Sequence, residues 1–81
     1  MEKNYVLIRQ PSFCVGIMEH DNVLASSTNL KLLLGLAYDD ILQNGGESGF
    51  QQWKWTILTY NNLTGALIDS IAIDSLSKVA A

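Results

Sequence analysis

Asn62-Leu63-Thr64-Gly65 is the stretch that most restricts this chain. It separates two strand-like runs, residues 51–60 (QQWKWTILTY) and 66–74 (ALIDSIAID). Asparagine first and glycine fourth suit a type I turn closed by a glycine bulge. Such a turn sets Asn62 opposite Ala66. Counting outward, Leu58 faces Ser70, Ile57 faces Ile71, Trp55 faces Ile73 and Lys54 faces Asp74. Apolar residues then meet apolar ones on one face, and an opposite-charge pair falls on the other. A turn chosen for its own chemistry yields a self-consistent hairpin.

The same register assigns the two tryptophans. Trp53, Trp55 and Ile57 share a face with Ile71 and Ile73, and that face is expected to meet a helix. Trp53, nearest the strand's start, is expected to be half covered. A base-stacking platform would need basic neighbours. Lys3, Arg9, Lys31, Lys54 and Lys78 are scattered instead.

Upstream, residues 5–9 read as a first strand, and Pro11 marks a turn or sheet edge. Residues 13–19 (FCVGIME) read as a second strand, with Phe13, Val15 and Ile17 on one face and Gly16 at a bulge or close backbone approach. His20-Asp21-Asn22 reads as a turn, and residues 23–25 as a short third strand returning beside the second. Ser26-Ser27-Thr28-Asn29 offers successive helix N-caps. The helix is expected over Leu30–Gln43, stopped by Asn44-Gly45-Gly46, which readily take the left-handed conformation that closes a helix. Leu30, Leu33, Leu34, Ala37 and Ile41 make the stripe that docks on the sheet. Residues 47–49 extend a flexible glycine-rich loop, and 75–81 form a short helical turn or a frayed end. The expected fold is α+β: a mostly antiparallel sheet of four to five strands with one helix packed on one face, order β-β-(β)-α-β-β. One globular domain spans residues 1–81.

Composition narrows function by exclusion. The chain is 48% apolar and 16% charged, a folded globule with few charges to keep its surface wet. Eight acids against five Lys/Arg give a net charge of −3, and no basic stripe forms, so direct nucleic-acid binding is disfavoured. Cys14 is the single cysteine. The small domains that live outside the cell commonly need disulfide staples, so a cytoplasmic location is expected. The first ten residues hold too short an apolar run for a signal peptide. The leucine-rich run 30–42 is interrupted by Lys31, Asp39 and Asp40 and falls short of the ~18–20 residues that span a bilayer.

No catalytic residue, metal site or cofactor is expected. Cys14 and His20 could share a face, but on an extended strand they would lie roughly 20 Å apart, far beyond proton-transfer range. Glu19-His20-Asp21 alternates sides and lacks the further ligands that zinc requires. Asp39 and Asp40 point about 100° apart on a helix and cannot share a proton. They stand in its last turns, where the dipole disfavours negative charge. That locally unfavourable choice suits contact with a basic partner. Asn62-Leu63-Thr64 matches a glycosylation acceptor, but its turn role explains it better. Gly45, Gly46 and Gly49 follow a helix rather than open one, so they cradle no phosphate.

The helix carries more leucine than one face can use. With Leu30 at the centre of the stripe, Leu32 and Leu36 lie roughly 160° and 120° away. They form an i, i+4 ridge beside Gly35, whose missing side chain lets another backbone approach. Leu32, Leu36, Asp39 and Asp40 are therefore the candidate partner-binding residues. Two functions are open. One is a small non-enzymatic protein-binding module or inhibitor acting on a larger partner; a viral or mobile-element blocker of host defence or of a nucleic-acid machine has the same generic character. The other is a homodimeric or larger structural or ligand-binding domain, with Trp53 and Tyr60 near a pocket between subunits.

Overall fold

The computed structural model describes residues 3–13 and 22–79. Four strands, β1 (Lys3–Pro11), β2 (Asn22–Ser27), β3 (Trp53–Asn61) and β4 (Leu67–Ile73), form one antiparallel sheet in the order β2-β1-β3-β4. One helix, α1 (Leu30–Gln43), lies between β2 and β3 in sequence. The fold is α+β, as expected. The thin dimension of 15 Å leaves room for two layers, a sheet and a helix.

Residues 23–25 belong to β2, which is longer than expected. It pairs with β1, Leu7 facing Ala25 and Val6 facing Ser26, where the sequence reading seats it beside a second strand at 13–19. Phe13 lies in the turn after β1 and is 81% exposed. The rest of that expected strand lies outside the described residues. Pro11 closes β1, where its missing N–H interrupts no further ladder.

The stripe read from the helix docks as expected. Leu33, Ala37 and Ile41 are fully buried against Leu7, Trp55, Ile57 and Ile73 of the sheet. Leu30, Leu34, Tyr38 and Trp53 pack around this core half-buried, and Val79 joins it after a 3₁₀ turn, Leu76–Lys78. Each large apolar side chain so buried contributes about 1.5–3 kcal/mol, which is why the inner face of α1 decides its position.

The β3–β4 register matches the sequence reading from Trp55 to Leu58: Trp55 faces Ile73, Ile57 faces Ile71 and Leu58 faces Ser70. The turn itself differs. Asn61 N–H donates to Ala66 O at 2.8 Å and Gly65 N–H to Asn61 O at 2.8 Å. Asn61, not Asn62, therefore stands across from Ala66, and the loop is 62–65. Asn61 Oδ1 accepts from the N–H groups of Leu63 (2.8 Å) and Thr64 (3.2 Å). This side-chain closure is what selects the longer loop. A bulge between the pairs Thr59–Asp69 and Tyr60–Leu67 absorbs Ile68 and restores the register. The ladder ends at Trp55–Ile73, and Asp74, expected opposite Lys54, carries an ion pair to Lys78 Nζ at 3.1 Å.

Past the helix, Gly45 and Gly46 take positive φ (106° and 62°), the expected stop. Residues 47–49 are not a loose loop. They lie in a 3₁₀ helix, Gly46–Gln51, whose Gly49 is buried against Asn44 O and Trp55. Phe50 then meets Trp55 edge to face, ring centroids 5.3 Å apart.

Candidate protein-binding surface

The first turn of α1 is closed by a side-chain cap. Asn29 Oδ1 accepts from Leu32 N–H at 3.3 Å, and Ser27 Oγ accepts from Asn29 N–H at 2.9 Å. Of the four capping candidates in a row, Asn29 is the N-cap. With Leu33, Ala37 and Ile41 turned inward, the ridge faces water: Leu32 is 53% exposed and Leu36 41%. Between and beside them, none of the described residues lies within 4 Å of where a Cβ on Gly35 would be. Lys31, Leu32, Gly35, Leu36, Tyr38 and Asp39 line a shallow depression of about 640 Å³, with Val79 of the C-terminal segment at its edge. A groove of about 310 Å³ continues on the β2 side, from Leu36 and Asp39 to Leu24.

Asp39 and Asp40 part company. Asp39 is exposed on the rim of the depression. Asp40 turns back to the sheet, where Trp55 Nε1 donates to Oδ2 at 2.7 Å. Arg9 Nη1 reaches both carboxylate oxygens, at 3.0 and 2.9 Å. The guanidinium also lies over Trp53, 4.9 Å from the ring centroid. The basic partner that two acids near a helix C-terminus suggest is thus, for Asp40, internal. Its carboxylate is committed to a clasp between helix and sheet. Leu32, Leu36 and Asp39 remain as the ridge. Arg9 is the member of the clasp that the sequence reading did not single out. The only signal for it is the β1–β3 pairing that sets Arg9 opposite Trp55.

Trp53 and Tyr60 are not brought together within the chain. They stand at opposite ends of β3, seven residues apart, which is about 23 Å along a strand and on opposite faces. Trp53 is half-buried on the helix side under Arg9, while Tyr60 stands across from Asn4 and Leu67. The sheet face away from the helix carries its own trough, about 440 Å³, lined among others by Ile8, Gln10, Lys54, Thr56, Leu58 and Leu67.

Cys14, Glu19, His20 and Asp21 lie outside the described residues, so the dyad and the acidic-histidine triplet have no geometry to report. Among the described residues, no cluster of His, Cys, Asp and Glu could hold a metal ion. No helix there is long and apolar enough to cross a membrane. No protein-family model matches the chain, and no curated protein or solved structure matches it either, so the functional reading stands on the surface itself.

Proposed function

We propose that this chain is a small non-enzymatic protein-binding domain whose docking surface is the outer face of α1. The observation that carries this reading is the ridge of Leu32 and Leu36 beside Gly35, half-exposed on a helix whose inner face is already filled by Leu33, Ala37 and Ile41. Isolated exposed leucines are ordinary. Two at i, i+4 spacing beside an open glycine and lining one depression make a surface shaped for another chain.

The test is a paired capture from the source cell's lysate, or its host's, with the native chain and with Leu32→Gln/Leu36→Gln. Fold is checked by tryptophan fluorescence. A protein retained by the native chain and lost by the variant supports the reading. Equal retention with the fold intact removes it.

A narrower version makes the partner a defence or nucleic-acid-handling machine blocked by this domain. It requires binding that weakens strongly with salt. The ridge supplies Asp39 but not the carboxylate of Asp40, which Arg9 and Trp55 hold, so support for an acidic mimic is thinner than the sequence suggests. The second reading, a self-assembling domain, draws on the same ridge, and on it the charges have more to say.

A further inference from the structure

The outer face of α1 is complementary to itself. Lys31 and Asp39 lie four residues before and four after Gly35, about 12 Å apart along the axis. Neither makes a hydrogen bond or ion pair among the described residues. Each also runs against the helix dipole. Lys31 sits in the first turn, which holds no acid; Asp39 stands toward the C-terminal end, whose last turn holds no base. Gly35 is a third unfavourable choice: inside a helix glycine is a poorer helix former than alanine. Among the described residues, no contact uses the space it leaves.

All three choices make sense together if a second helix crosses here. We propose that α1 packs antiparallel against α1 of a second copy, about a two-fold axis at Gly35. This rests on the reading of the outer face as a protein-binding surface, and names its partner. In that pairing each Lys31 meets the partner's Asp39. The two glycines meet at the crossing, where absent side chains let the axes approach at or below the usual ~8–10 Å. The two-fold axis lies in the interface at right angles to the helices, so Leu32 and Leu36 of both copies gather on one flank. A two-fold contact of this kind needs one patch that complements itself, and residues 31–39 are such a patch.

The test is association of the full chain, measured by sedimentation equilibrium from about 1 µM to about 500 µM, a range that brackets modest interfaces. The native chain is expected to form a dimer and no larger species. Lys31→Glu alone and Asp39→Lys alone are each expected to weaken the dimer by about tenfold or more, because like charges then face each other. Both substitutions align the helix with its dipole, so the monomer melts no lower and lost association cannot be blamed on unfolding. The double variant is expected to return to within about threefold of the native affinity, the mark of a direct pair in a double-mutant cycle. Gly35→Leu, which fills the crossing, is expected to abolish the dimer.

A native chain that stays monomeric overturns the proposal. So does a dimer indifferent to Gly35→Leu, or a double variant as weak as the singles. The wider reading fails separately: a monomeric chain that still captures another protein through Leu32 and Leu36 keeps the binding surface and loses only the second copy as its occupant.

Discussion

Trp55 Nε1 donates a hydrogen bond to Asp40 Oδ2 at 2.7 Å, and through it the helix is fastened to the middle of the sheet. Trp55 is fully buried. Its indole N–H therefore needs an acceptor inside the protein, and a carboxylate is a strong one. Arg9, 19% exposed against 20% for Asp40, balances that carboxylate's charge. The clasp joins β1, α1 and β3 at one point.

Asp40→Ala leaves the indole N–H and the guanidinium without their acceptor. It is expected to cost about 2–3 kcal/mol, the desolvation penalty of a buried donor plus a lost charge-assisted bond. Asp40→Asn keeps an oxygen for Trp55 but not the charge for Arg9, and should cost about 1 kcal/mol. Urea denaturation followed by tryptophan fluorescence measures both. A loss below about 0.5 kcal/mol for Asp40→Ala would mean that water serves these groups as well as Asp40 does.

Two glycines should respond in opposite directions to the same substitution. A Cβ at Gly49 would collide with Asn44 O and press on Trp55, and the obstructing atom is backbone. Gly49→Ala is expected to destabilise by about 2–3 kcal/mol. At Gly35 a Cβ meets none of the described residues. Gly35→Ala is expected to stabilise the monomer by about 0.5–1 kcal/mol through helix propensity. Thermal melts at low protein concentration give both signs. A destabilising Gly35→Ala would show that the helix needs the gap for its own packing.

Asn61 closes the hairpin loop through its side chain, accepting from Leu63 and Thr64 N–H. Asn61→Ala removes both bonds at an exposed site. The expected loss is about 0.5–1.5 kcal/mol, typical of a side chain capping backbone donors. Asn61→Asp keeps the acceptor and should recover most of it. If alanine and aspartate behave alike in urea titrations, the turn does not depend on this oxygen.

What could be read in the sequence follows from how local each cause is. The bounds of α1 and its buried stripe are legible because caps, a glycine stop and helical periodicity all act within a few residues. The pairing of Ile57 with Ile71 is legible for a weaker reason: the longer loop and the bulge at Ile68 offset each other. Asp40 is not legible as a clasp residue, because its partner Arg9 is 31 residues away and reaches it only once β1 lies beside β3. Gly49 misleads for a different reason: its neighbours are close in sequence, but only the folded turn brings them onto it. A glycine-rich run looks loose until Trp55 and Asn44 occupy the space around it. The ridge of Leu32 and Leu36 is legible because helix geometry alone turns it away from the stripe.

The β4 edge of the sheet is guarded, and the guard can be removed. β4 is an outer strand, with Leu67 and Ile68 about half exposed. Such an edge invites pairing with another chain. Backbone groups of alternate residues point away from the neighbouring strand, and two of them on β4 are already occupied. Asp69 Oδ1 accepts from Ser70 N–H at 2.8 Å, and Lys78 Nζ donates to Ala72 O at 3.4 Å while paired with Asp74 at 3.1 Å. Charged side chains thus cover a donor and an acceptor that an added strand would need. Asp69→Ala/Lys78→Ala should uncover them and change unfolding free energy by less than about 0.5 kcal/mol, since both residues are exposed. The expected gain is in edge-to-edge association, seen as time-dependent light scattering and a rise in β-sheet infrared absorption at high concentration. Gly35→Leu, which blocks the helix face, should leave that association untouched. If the double variant stays as soluble as the native chain, the two bonds are ornaments of the edge and not its protection.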